Sequence, residues 1–178
     1  MRTQLYSIQE LRPGRVSIMA RPRGGDWLFD EIKALREAGV DVLVSFLTST
    51  EVSELDLSEE AAYCQNQGII YLSFPILDRS IPPFSAETFI VLKQLNASLS
   101  EGKHVALHCR QGLGRAALMA ASLLVHNGFS PDEAFDRLSK ARGYAVPETE
   151  EQRAWVVAFS QQYHSLRFNE EGGQIDPP

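Results

Sequence analysis

One stretch, His108-Cys109-Arg110-Gln111-Gly112-Leu113-Gly114-Arg115, constrains this chain more than any other. Before it, Val105-Ala106-Leu107 reads as an apolar strand. After it, from Arg115 or Ala116 to Val125, the residues read as an apolar helix. A glycine-containing turn between strand and helix can aim its backbone N–H groups inward as an anion-binding nest, backed by the positive end of the helix. A cysteine sulfur held there should ionise below its free value of about 8.5, because the N–H dipoles favour the thiolate. Arg115, six residues after Cys109, adds a planar fork of donors suited to two phosphate oxygens. Nucleophile and oxyanion clamp at one small site imply phosphoryl transfer through a phosphocysteine. The bland alternative makes Cys109 a small buried apolar residue at a strand end, which leaves the glycines and Arg115 unexplained.

Around this loop, strand and helix patterns alternate. Val16–Ala20 reads as a strand, and Asp26 as the cap of a helix from Trp27 to Ala38, with Leu28, Ile32 and Leu35 at helical spacing and Gly39 as the stop. Val40–Leu47 is a nearly continuous apolar run, the pattern of a parallel strand buried on both faces. Ser58 is expected to cap a helix over 59–67. Ile69–Phe74 reads as a strand, Ser85 as the cap of a helix to Ser100, and His104–His108 as the central strand. Helices from Pro131 to Arg142, capped by Ser130, and from Glu148 to Tyr163 complete the series. The implied fold is an α/β, mostly parallel sheet with helices on both faces and the site at the carboxyl ends of the strands. Residues 1–168 are expected to form a single domain. The tail 169–178 has too few apolar residues to pack and is expected to be disordered.

Expelling an alkoxide or phenoxide near neutral pH needs a proton donor. The candidate is Asp78, in the loop Phe74–Pro83, which precedes Cys109 by 31 residues. One helix and one strand intervene, so two adjacent strand ends can bring both loops over one pocket. The competing role for Asp78 is an Asx-turn in a proline-rich loop.

His-Cys-x5-Arg between a strand and a helix resembles the cysteine-based protein tyrosine and dual-specificity phosphatases, over roughly Val16 to Phe159. The resemblance implies that Cys109 is the nucleophile and Arg115 the phosphate clamp. Arg110, Gln111, Gly112, Leu113 and Gly114 would then line the phosphate-binding loop, and Asp78 would be the general acid. It also implies a supporting role for His108, which side-chain alternation along a strand should turn away from Cys109. In this family a polar residue near the start of the last helix positions the hydrolytic water, a place that Gln152 could fill; a surface amide is the alternative. Arg142 and Arg79 are weaker candidates for contacts with substrate flanks. One departure stands out: Ala116 occupies the place where the family carries Ser or Thr, whose hydroxyl donates to the cysteine sulfur.

The chain has 178 residues and a net charge of −6. An acidic balance disfavours nucleic acid as a partner, and Arg12, Arg15, Arg21 and Arg23 read as an exposed basic loop. Attraction for phosphate must therefore be local. Two cysteines, Cys64 and Cys109, imply no disulfide framework and suit a reducing compartment. No signal-like opening and no bilayer-length apolar run is present, so a cytoplasmic location and no membrane partner are expected. His104, His126 and His164 lack ligand spacing and read as structural, and neither a metal nor another cofactor is expected. The substrates expected are phosphorylated proteins or small phosphorylated molecules: phosphotyrosine, with phosphoserine or phosphothreonine beside it, and a phosphoinositide or phosphorylated metabolite as the alternative. A low-turnover phosphate-binding module and sulfur transfer on a rhodanese-like loop are the readings from other classes. A pure binder needs no nucleophile, and sulfur transfer needs no acid loop.

Overall fold

The computed structural model describes residues 4–8 and 13–171, with side chains to residue 163; Arg12, the side chain of His164 and the tail residues 172–178 lie outside the described residues. Five strands form one sheet in the order β1-β2-β5-β3-β4. They are β1 (Tyr6–Ile8), β2 (Arg15–Ala20), β3 (Val42–Ser45), β4 (Ile70–Ser73) and β5 (His104–Cys109). β5 runs parallel to β2 and β3, β4 runs parallel to β3, and only β1 is antiparallel, to β2. Among the described residues, seven α-helices accompany the sheet: α1 (Leu28–Glu37), α2 (Ser49–Glu54), α3 (Glu60–Asn66), α4 (Ala86–Ser100), α5 (Arg115–His126), α6 (Pro131–Arg142) and α7 (Glu150–Glu171). Among the described residues, no helix is long and apolar enough to cross a membrane.

Alternation along β5 divides the interior into two cores. Val105, Leu107 and Cys109 join the core under α4–α7, whereas Ala106 joins the smaller one under α1 and α3. β3 is buried along its whole length, as its unbroken apolar run requires. α5 has no solvent face: every residue from Arg115 to Val125 is buried. Four alanines, Ala116, Ala117, Ala120 and Ala121, keep it thin enough to be covered from all sides.

Two expected helix caps are displaced, and a third, Ser85, stands at the N-cap of α4 without a side-chain bond. Asp26 lies in a 3₁₀ turn, Gly25–Trp27, that leads into α1, so Trp27 takes the cap position. Glu59, not Ser58, precedes α3. Ser130 does cap α6, in a reciprocal box with Glu133. Two short elements lacked a readable pattern. β1 has three residues, and α2 has six with one apolar side chain, Val52.

Candidate active site

The phosphate loop spans the gap from the end of β5 to the start of α5, at the carboxyl edge of the sheet. Cys109 is 3% exposed, and its sulfur accepts the Gly112 N–H at 3.3 Å. Gly112 has φ +71°, and a Cβ there would lie 2.5 Å from the Met19 carbonyl oxygen. Only glycine meets both demands. At Gly114 the crowding comes from the other side: a Cβ would lie 2.8 Å from Gln152 Nε2 and 2.9 Å from Glu148 Oε2. Leu113 packs on the larger core. The Arg110 carbonyl accepts Arg21 N–H at 3.4 Å, and Arg142 Nη2 donates to the Gln111 carbonyl at 3.3 Å. The loop is thus pinned from β2, from α6 and from the opening of α7.

Arg115 opens α5 and is 1% exposed. Nη1 donates to Glu51 Oε2 at 2.7 Å and to the carbonyls of Ile76 (2.8 Å) and Phe46 (3.3 Å). Nη2 donates to Glu51 Oε1 at 2.9 Å and to Asp78 Oδ1 at 2.9 Å. A buried guanidinium requires such compensation. Burial works against its charge, yet the Glu51 hydrogen bonds and the nearby Cys109 and Asp78 hold its pKa above the ordinary value. For Glu51, burial raises the pKa, and the donors Arg115, Thr48 N–H and Arg110 outweigh it, bringing the carboxyl down to about 2. Asp78 reaches in from the loop after β4 with its side chain 54% exposed, so one face stays open to solvent. The two loops converge, joined by the Asp78–Arg115 contact, but not from adjacent strands as expected: β3 lies between β4 and β5, and the loop after β4 reaches across its end.

Glu51 is the functional residue that the sequence reading passed over. It sits in α2, where Thr48 and Glu51 cap each other: Glu51 N–H donates to Thr48 Oγ1, and Thr48 N–H donates to Glu51 Oε2. The pattern Thr48-Ser49-Thr50-Glu51 was the available signal. Beyond holding Arg115, Glu51 receives Arg110 Nε at 3.3 Å, while Glu54 receives Arg110 Nη2 at 3.4 Å.

His108 points to the opposite face of β5 from Cys109. Its Nε2 lies 3.1 Å from Glu60 Oε1 of α3, not aligned as a hydrogen bond, and both side chains are buried. Tyr71 hydroxyl donates to Glu60 Oε2 at 3.1 Å. Burial and the Glu60 charge push the neighbouring Cys64 thiol up to about 12, the opposite of a reactive thiolate. Gln152 is fully buried beside the phosphate loop. Its Oε1 accepts Thr149 N–H at 3.2 Å and its Nε2 donates to the Ser80 carbonyl at 3.1 Å, so its amide ties the acid loop to α7. Ala116 is fully buried behind Cys109's loop. Arg79 pairs with Glu148, and Arg23 pairs with Glu31 over the Trp27 ring. His104 is structural: it shares a 2.7 Å bond with Ser17, and burial lowers its pKa to about 4. Among the described residues, no group of three or more His, Cys, Asp or Glu is arranged to hold a metal ion.

Comparison with known proteins agrees with this architecture. A family model described as a DSP-PTPase phosphatase of polymorphic toxin systems matches residues 18–129. Cyclin-dependent kinase inhibitor 3 of Homo sapiens is 29% identical over 131 residues, covering 72% of this chain and 61% of that protein. The chain therefore spans under two thirds of the length of such relatives. A tyrosine-protein phosphatase of Autographa californica nuclear polyhedrosis virus is 32% identical over 81 residues, 44% of this chain and 48% of the viral protein. The crystal structure of kinase associated phosphatase, with its catalytic-site cysteine changed to serine, superposes with a TM-score of 0.82 at 23% identity. That match covers 93% of this chain and 98% of the other.

Proposed function

The chain belongs to the DSP-PTPase phosphatase family, and on that premise we propose that it hydrolyses phosphate monoesters through a phosphocysteine on Cys109. The observation that carries this reading is the joining of two loops from separate strand ends at Arg115: Asp78 stands 2.9 Å from the guanidinium that shares the loop with Cys109. The Cys109 thiolate attacks phosphorus, and the ester oxygen leaves with the proton of Asp78. Arg115 and the loop N–H groups hold the non-bridging oxygens as charge redistributes over them. Water then attacks the phosphocysteine and gives its proton to the Asp78 carboxylate, the S–P bond breaks, and inorganic phosphate departs with the thiolate restored. Arg110, Gln111, Gly112, Leu113 and Gly114 shape the cradle. His108 supports it from behind the sheet. Gln152 contributes by holding the acid loop, because both ends of its amide are engaged there.

Phosphotyrosine of proteins, with phosphoserine and phosphothreonine, is the proposed substrate class, in keeping with the names of the relatives. A reactive thiol is best preserved in a reducing compartment, which favours the cytoplasm. The test is turnover of p-nitrophenyl phosphate. Cys109→Ser should abolish it while the fold persists, since a serine hydroxyl does not ionise in the nest. Vanadate should compete with substrate, and a thiosulfate–cyanide assay should show no sulfur transfer. Substantial phosphatase activity in the serine variant would overturn the phosphocysteine route.

A further inference from the structure

The turn that carries Asp78 is not held by its own backbone alone. Ser80 N–H closes a tight turn on the Leu77 carbonyl at 3.0 Å, and Arg79 between them has φ +58°. A non-glycine residue in the left-handed region is strained, so contacts elsewhere must stabilise this conformation. Two are present, and both lead to the same place. The Ser80 carbonyl accepts Gln152 Nε2, and Arg79 Nη1 donates to Glu148 Oε1 at 2.8 Å. Glu148 precedes α7, and its other oxygen borders Gly114 of the phosphate loop. The left-handed turn thereby sends Asp78 inward to Arg115 and Arg79 outward to Glu148.

We propose that Arg79 and Glu148 are a positioning pair that holds the acid loop against the start of α7, so that proton delivery by Asp78 depends on this ion pair. The inference rests on the reading of Asp78 as the general acid. The side chain of Arg79 is 63% exposed and that of Glu148 29%. The pair therefore contributes little to global stability and is weakened by salt. Its effect should appear where the loop's position matters, in reactions that need the proton most.

The measurement is the ratio of kcat/KM for p-nitrophenyl phosphate to that for phenyl phosphate, on the full chain. This quantity covers the steps up to leaving-group departure and excludes later hydrolysis of the phosphoenzyme. Asp78→Asn sets the scale, raising the ratio strongly because a positioned acid is worth about 10²–10⁴-fold where the proton is needed. Arg79→Asn, which tolerates the left-handed backbone, and Glu148→Gln should each raise the ratio about two- to fivefold. The double variant should go no further than either single one. Arg79→Lys should restore most of the parent value. Raising ionic strength to about 1 M, where the Debye length is about 3 Å, should raise the ratio in the parent and leave the double variant unmoved. A merely structural role would slow both substrates together and leave the ratio alone. Flat ratios in the Arg79 and Glu148 variants beside a steep Asp78→Asn would overturn the pair and leave Asp78 as the acid. Multiplicative effects in the double variant, or a salt-insensitive parent, would overturn it as well. A flat Asp78→Asn would remove the acid reading, and the pair with it.

Discussion

Glu51→Gln is the substitution on which stability and catalysis meet. The side chain is 8% exposed, bonds both terminal nitrogens of the buried Arg115, and caps its own helix. Glutamine keeps the shape but removes the charge, leaving a guanidinium that is 1% exposed without its buried counter-ion. Two routes give the magnitude. Holding a carboxyl at about 2 instead of 4.5 corresponds to about 3 kcal/mol, at about 1.4 kcal/mol per pKa step. Removing one partner of a buried pair costs about 3–5 kcal/mol. Equilibrium urea unfolding near pH 7 should therefore show a loss of about 3 kcal/mol. The pH dependence has a definite sign, because the folded-state pKa is depressed. The stabilisation is fully present above about 4.5 and is lost as the pH falls toward about 2. The parent should lose stability across that window more steeply than the variant, in which this group no longer titrates. kcat/KM on p-nitrophenyl phosphate should fall by about 10²-fold, the scale of a misplaced clamp. A loss under about 1 kcal/mol together with parallel acid limbs would refute the reasoning, and Arg115 would have to be held by the carbonyls of Phe46 and Ile76.

Two further outcomes are expected. Ala116 offers no hydroxyl to the sulfur, and a hydrogen bond to a charged group is worth about 1.5–3 kcal/mol, so phosphocysteine breakdown should be slowed by about one to two orders of magnitude. Stopped-flow mixing should reveal a burst of p-nitrophenol, and Ala116→Ser should raise the steady-state rate and remove it; no burst and no gain would show that hydrolysis does not limit turnover. Gly112→Ala meets both the positive φ and the Met19 carbonyl, and should cost about 2–4 kcal/mol in urea unfolding, with vanadate affinity lost alongside.

What the sequence made legible follows from how each group is held. The phosphate loop is local, since Cys109 through Arg115 are contiguous and their glycines mark the turn. β3 and α5 were readable as continuous apolar runs, α1 from apolar residues at helical spacing, and α6 from the Ser130 cap and Pro131 at its start. Asp78 was reachable by counting elements to another strand end, although that strand, β4, is separated from β5 by β3. Glu51 was not, because α2 has one apolar residue and its tie to Arg115 crosses 64 positions. Gln152 was found by its place in the chain, but its work is different: the Ser80 carbonyl lies 72 positions away, and nothing local announces that contact. Asp26 and Ser58 look like caps in isolation, yet a 3₁₀ turn occupies Gly25–Trp27 before α1, and Glu59 is the residue that precedes α3.

The helix behind the nucleophile has a consequence for how such a site can diversify. With no residue from Arg115 to Val125 facing water, α5 offers no position where a side chain can grow without displacing a neighbour on β5, α6 or α7. Drift along it is confined to swaps of nearly equal volume. Room for a side chain to grow lies outside this helix, as at Leu77, which is 70% exposed beside Asp78. Change near the site is thus left to exposed positions such as Leu77, outside the closely packed interior behind Cys109.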